Sequence, residues 1–179
     1  KSIEDFAFLS CEQLTSVTIP ASVTTIKSHA FYNCKGLKSI HAFSEIPVDL
    51  TSSDNVFYNI DKASCKLFVP AGSVSLYAGA SRWKDFLQIS AIVPLEVSPA
   101  ALTLPAAEGS SAQVVITTGG QWNAISGQSW LKTNALSGSG NTTLFITASV
   151  NSLPSSRSAT ITISAEGALP RSILVTQLS

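Results

Sequence analysis

Apolar residues in the first half of the chain recur on a fixed step. In IEDFAFLSCEQLTSV (3–17) and IKSHAFYNCKGLKSI (26–40), Ile3, Ala7, Phe8, Cys11, Leu14 and Val17 meet Ile26, Ala30, Phe31, Cys34, Leu37 and Ile40 at a constant shift of 23. A third, less regular copy follows: NVFYNI (55–60) echoes HAFYNC, and CKLFVPAGS (65–73) echoes LTSVTIPAS. Matching Ile19-Pro20 to Val69-Pro70 gives a shift of 50, so a few residues are inserted between the second and third copies. A step of 23 lies within the roughly 20–29 residues of a leucine-rich repeat. One such unit cannot bury its own apolar side, and stacked units cover one another. The pattern predicts a short strand in each unit, LTSVTI (14–19) and LKSIHAF (37–43), and a turn around AFxxC. Phe8 should lie over Phe31, and Cys11 over Cys34 as buried free thiols. With Leu14, Val17 and Ile19 turned inward, Ser16 and Thr18 form an outward stripe with their equivalents Ser39, His41, Lys66 and Phe68. In VSLYAGASRWKDFLQI (74–89), Leu76, Tyr77, Trp83, Phe86 and Leu87 predict short amphipathic helices that cap the stack.

The second half changes period. LEVSP, ALTLPA, AQVVITTGG, WNAIS, WLKTNAL, TTLFITASV, SATITISAEG and RSILVTQL are short alternating segments between turn signals. Leu144, Ile146 and Ala148 alternate with Thr143, Phe145 and Thr147, and Ile161 and Ile163 with Thr160 and Thr162. Period-two patterning bounded by Gly, Pro, Ser and Asn predicts antiparallel strands with one buried face. Seven or eight of them predict an immunoglobulin-like β-sandwich without the antibody-type disulfide. TTGGQ and SGSGN read as hairpin turns. The fold class is therefore mainly β: a short leucine-rich-repeat solenoid with small helical turns and a cap, then a sandwich. The domains are expected at 1–90 and 91–179, joined by a linker, SAIVP (90–94).

Composition narrows the functional classes. The chain has 179 residues, with 11 basic and 11 acidic side chains, so it lacks the basic excess that nucleic-acid binding requires. Of these 22 charges, 16 fall in residues 1–90. No apolar run is long enough to span a membrane. There is no Met and residue 1 is Lys, which reads as a mature or trimmed piece whose leader is not seen. Three Cys make neither a disulfide scaffold nor a zinc spacing.

Catalytic constellations are not evident. Ser39 and His41 share a strand face, but a triad also needs an orienting acid and an oxyanion site. The acids Glu4, Asp5, Glu12, Glu45, Asp49, Asp54, Asp61 and Asp85 are scattered over turns and cap, without the facing pair that glycoside hydrolysis uses. The reading is of a non-enzymatic protein with no catalytic residue, metal or cofactor. Trp122 and Trp130 are the sugar-stacking candidates, since an indole face suits the apolar side of a pyranose. Alternation of Trp122 with Ala124 on one strand favours a core place for Trp122, and a sandwich of this size needs bulky core residues at both positions.

TSVTIPASVTTIKSHAFYNCKGLKSI resembles the repeat of BspA-like bacterial surface proteins, roughly IPxSVTxIGxxAFxxCxxLxxI. LFVPAGSVSLYAGASRWKDFLQI is similar to that family's terminal unit. The resemblance covers residues 1–89, with Lys27 where the family has Gly. It holds about two and a half repeats, so the first coil is expected to begin upstream. Residues 94–178 resemble a BACON domain, a Bacteroidetes-associated module found beside carbohydrate-active enzymes; Trp122, SWL (129–131) and SGSGN (137–141) carry the likeness. These modules are often N-terminal, and here the module is C-terminal. Together the resemblances imply an exported, secreted or surface-held Bacteroidetes protein, lipid-anchored if its leader supplies the anchor. They imply adhesion to a host extracellular protein, mucin or glycan, through the stripe Ser16, Thr18, Ser39, His41, Lys66 and Phe68 and through Trp122 and Trp130. The expected state is a monomer. The rival is a structural spacer that displays another domain or serves a carbohydrate-utilisation system.

Overall fold

In the computed structural model, which describes residues 1–179, the repeat step becomes a parallel β-ladder. The first strands are β1 (Ser2–Ile3), β2 (Ser16–Ile19), β3 (Thr25–Ile26), β4 (Ser39–Ala42), β5 (Lys66–Val69) and β6 (Gln88–Ala91). One sheet runs β2-β4-β5-β6, and β1 pairs with β3. Ser16 lies beside Ser39, Ser39 beside Lys66, and Lys66 beside Gln88. The 50-residue shift thus divides into steps of 23 and 27.

A second ladder joins the coils at their turns. The Phe8 N–H donates to Ala30 O at 2.8 Å and that of Ser10 to Tyr32 O at 2.8 Å; one coil on, Phe31 donates to Val56 O and Asn33 to Tyr58 O, both at 3.0 Å. Alternate residues donate, as in a parallel strand pair. To turn so tightly, each coil places two residues in the left-handed region: Phe6, His29 and Asn55 (φ 59, 60 and 53°), then Ser10, Asn33 and Asn59 (φ 54, 60 and 62°). Such angles are uncommon outside Gly and best tolerated by Asn. Their recurrence in register shows that stacking imposes them. At Gly36 the coils approach so closely that a Cβ would stand 2.1 Å from Glu12 O.

The solenoid core is a stack of rings. Phe8 and Phe31 lie 5.1 Å apart at 2°, Phe31 and Phe57 5.8 Å apart at 15°, with Leu37, Ile40 and Leu67 buried beside them. Cys34 and Cys65 are buried, and burial pushes the Cys65 thiol up to about 11. Cys11 is exposed, contrary to the expected buried pair, because its coil is covered by neighbours on one side only. Exposed polar rungs repeat the 23-residue step: Lys27 with Glu4, Lys35 Nζ with Glu12 Oε1 at 3.1 Å, and Ser39 Oγ with Ser16 Oγ at 3.0 Å. Such pairs favour register more than stability.

The cap is less helical than its pattern suggests. A 3-10 turn (Ala71–Ser73) leads into α1 (Val74–Gly79), which ends there. Tyr77, Trp83 and Phe86 are buried, with Tyr77 Oη donating to Ser44 O at 3.0 Å and Trp83 Nε1 to Val48 O at 2.9 Å, while Leu76 and Leu87 are exposed. Gln88–Ala91, expected to close a helix and open a linker, is instead β6, which pairs the edge of β5 that would otherwise stay open.

Contacts separate Lys1–Ile92 from Val93–Ser179. The second unit contains β7 (Leu95–Ser98), β8 (Ala101–Leu104), β9 (Ser110–Thr118), β10 (Gln121–Ser126), β11 (Leu131–Thr133), β12 (Ser137–Ser139), β13 (Thr142–Ala148), β14 (Arg157–Ala165) and β15 (Arg171–Gln177). They form two sheets, β12-β10-β14-β15-β8 and β11-β13-β9-β7, antiparallel except for β15 beside β8. Leu144, Ile146, Ile161 and Ile163 face inward, as the alternation requires. Two turn readings fail. Gly119-Gly120 joins β9 to β10, which lie in different sheets, so it crosses the sandwich and is not a hairpin. Ser137–Ser139 is a strand against β10, hidden by residues of low β-propensity. Gly138 is needed there: a Cβ would meet the Trp122 ring at 2.5 Å.

Candidate functional site

The expected stripe forms in register but not with the expected exposure. Thr18, His41, Phe68 and Ser90 make one row across the sheet, and Ser16, Ser39, Lys66 and Gln88 the next. Ser16 and Thr18 are exposed, and Ser39 and Lys66 half-buried. His41 and Phe68 are each only 6% exposed. Their rings stack at 4.8 Å and 24°, so each covers a face the other would offer to a partner. Neither imidazole nitrogen has a hydrogen-bond partner, and desolvation holds the His41 pKa below its ordinary 6.5.

The tryptophans are also committed elsewhere. Trp122 is 2% exposed and belongs to the sandwich core. Trp130 is half-buried: it packs against that core, and the Arg157 guanidinium sits 4.3 Å from its ring centroid. Arg157 is itself fixed, donating from Nε to Gln177 Oε1 at 2.9 Å and from Nη2 to Ser149 O at 2.8 Å. A sugar would have to displace this cation from the indole face. A cavity of about 780 Å³ opens beside β10 and β11, walled by Ile125, Ser126, Gln128, Lys132 and Leu136 with no aromatic ring.

The exposed aromatic surface lies instead on the turns of the solenoid. Phe6 stacks on His29 at 5.0 Å and 20°, and Tyr32 on Tyr58 at 4.7 Å and 12°. His29 and Tyr32, 5.4 Å apart, join the two columns side by side. Beside them Asn59 Nδ2 donates to Asn33 Oδ1 at 2.8 Å, and Asn55 Nδ2 lies 3.4 Å from His29 Nε2. Phe6 is 53% and Tyr58 51% exposed. Reasoning from the sheet overlooked these residues. Their signal was the FYN shared by HAFYNC and NVFYNI, which stacks Tyr32 over Tyr58 once the coils are superposed.

No group of three or more His, Cys, Asp or Glu side chains is placed to hold a metal ion, and no helix is long and apolar enough to cross a membrane. Residues 1–77 match the family model described as BspA type Leucine rich repeat region (6 copies), and residues 94–179 the model described as Viral BACON domain. The chain is a BspA-type leucine-rich repeat region followed by a BACON domain. Repeat regions and BACON domains of these kinds are typically non-catalytic and typical of extracellular or surface proteins. They mark a surface or carbohydrate-associated module. Comparison with curated proteins finds no match. Among solved structures, the chain is similar to a Bacteroides ovatus GH5 xyloglucanase in complex with a XXXG heptasaccharide, at 32% identity and a TM-score of 0.45, over 48% of this chain and 19% of that one. It is also similar to a protein from Bacteroides thetaiotaomicron solved by NMR, at 14% identity and a TM-score of 0.34, over 48% of this chain and 87% of that one. The chain thus spans about a fifth of the xyloglucanase structure.

Proposed function

We propose that this chain is a non-enzymatic adhesion module of a bacterial cell surface, exported and acting as a monomer, which holds the glycans of host glycoproteins such as mucin. The observation that carries the reading is the double column of Phe6, His29, Tyr32 and Tyr58, exposed at Phe6 and Tyr58 and half-buried between them, with its flanking Asn33 and Asn59. Stacked coils hold these side chains in place before any partner arrives, which lowers the ordering cost of binding. Aromatic edges interleaved with amides suit a neutral sugar chain, whose surface alternates C–H groups and hydroxyls. The BACON domain then acts as a spacer, a role supported by the covered faces of Trp122 and Trp130. Ser16 and Thr18 remain as a minor outer margin of the sheet.

The test is a glycan and mucin array probed with the full chain and with Phe6→Ser/Tyr32→Ser/Tyr58→Ser. Specific binding that falls at least tenfold in the variant is expected. Absence of binding by the full chain to any glycan or mucin would return the repeat region to a display role.

A further inference from the structure

The column of rings stops at Tyr58. The columns advance by matching steps: Phe6, His29 and Asn55 carry left-handed backbone in successive coils, and Arg82 is the fourth such residue at φ 68°. The 27-residue step from Asn55 to Arg82 also carries Tyr58 to Asp85. No ring stacks on Tyr58 beyond Tyr32, and the cavity beside it is shared with a carboxylate, Asp85. This cavity measures about 180 Å³, with Asn55, Tyr58, Lys62, Arg82 and Asp85 among its walls. It is smaller than the roughly 300–1,000 Å³ of drug-sized ligand sites, and suits a single ring.

Its chemistry is that of a sugar subsite. We propose that the slot over Tyr58 binds one neutral pyranose, the terminal residue of a glycan. One face of Tyr58 is taken by Tyr32, and the half-exposed ring borders the slot, where the C–H face of a pyranose can lie against it. Planar Asp, Asn and Arg groups around that face can each meet two neighbouring hydroxyls. Arg82 is poised for this. Its Nε is buried without a partner, and its Nη2 is only loosely engaged, 3.6 Å from Asp54 Oδ1. The loosely held guanidinium can turn its Nη hydrogens to a sugar oxygen in the slot. Lys62 and Arg82 are offset by Asp54 and Asp85, so the slot has no net charge with which to select an acidic sugar.

This assignment rests on the glycan-binding reading, and the experiment keeps the two apart. Amide and Arg Nε–H NMR spectra of the full chain are recorded during titration with methyl galactoside, methyl mannoside, N-acetylglucosamine and methyl glucuronide. At least one neutral sugar is expected to shift the signals of Asn55, Tyr58 and Arg82, with a Kd of about 1 mM. Tyr58→Leu, which keeps an apolar partner for Tyr32, should weaken it by about tenfold, the upper end of a single aromatic contact, and Asp85→Asn by a similar factor of about ten through loss of a charge-assisted acceptor. Retained spectral dispersion shows that each variant is folded. No shift at those residues overturns the assignment, as does equal binding by both variants or a preference for the glucuronide. If the full chain binds mucin and Asp85→Asn binds it equally well, the slot falls and the ring column stands. If a monosaccharide shifts the slot but no glycoprotein binds, the column falls and the slot stands.

Discussion

His41 shows how one side chain can be at odds with its surroundings. It is buried against Phe68 with both ring nitrogens unpartnered, and its cross-strand neighbours Thr18 and Phe68 carry no charge to favour imidazolium. The folded pKa therefore lies below 6.5. Between those two values the unfolded chain binds more protons than the folded one, so stability rises with pH there. His41 contributes fully above about 6.5, and its contribution is lost as pH falls through the folded value. His41→Phe should remove this acid-side decline and raise stability at pH 7 by about 1 kcal/mol, since two stranded polar atoms leave a buried site. Urea unfolding at a series of pH values measures both; a variant that keeps the wild-type decline below pH 6.5 would show that another group is responsible. Phe keeps a ring to stack on Phe68, 4.8 Å away.

At the scale of the element, the coil is stabilised chiefly by what lies above and below it. Phe31 has rings on both sides and is fully buried, whereas Phe8 has one ring neighbour and is half-buried. Phe31→Ala should cost about 3–5 kcal/mol, and Phe8→Ala clearly less, because the outer coil can relax into the space. Equal losses in denaturant unfolding would mean that the coils do not depend on stacking. The sequence revealed this element well: residues 23 apart carry matching apolar side chains, and a solenoid makes that match a contact. It revealed the 27-residue coil through NVFYNI and through Ile19-Pro20 and Val69-Pro70, but not where the inserted residues fall, since they carry no repeat signal of their own. Two elements were hidden. β6 lies under aromatic residues whose spacing also suits a helix, and β12 is Ser-Gly-Ser, chosen for the space Trp122 needs and not for strand propensity. Candidate site residues were the least legible. Alternation tells which way His41 and Phe68 point, but not that their two rings cover each other.

For the molecule as a whole, the decisive fact is that no sheet draws strands from both units. One core gathers Phe31, Leu37, Ile40, Leu67 and Trp83, and the other Trp122, Leu144, Ile146, Ile161 and Val175. A unit of about 90 residues can bury upwards of roughly 60% of its unfolded surface, enough for a marginal but independent fold. Residues 1–92 and 93–179, expressed separately, are therefore each expected to unfold in a single cooperative calorimetric transition. The repeat unit should be the more fragile, because the half-buried Phe8, Leu14 and Val17 leave its first coil less well covered than those that follow. Binding should follow the columns: the 1–92 half should retain glycan affinity within about threefold of the full chain, and the 93–179 half should show none. Because the ring columns carry no net charge, that affinity should change little with added salt, unlike binding through a basic patch. A repeat unit that unfolds when separated would show that its core depends on residues beyond Ile92, and affinity found in the sandwich half would move recognition to the cavity beside β10 and β11.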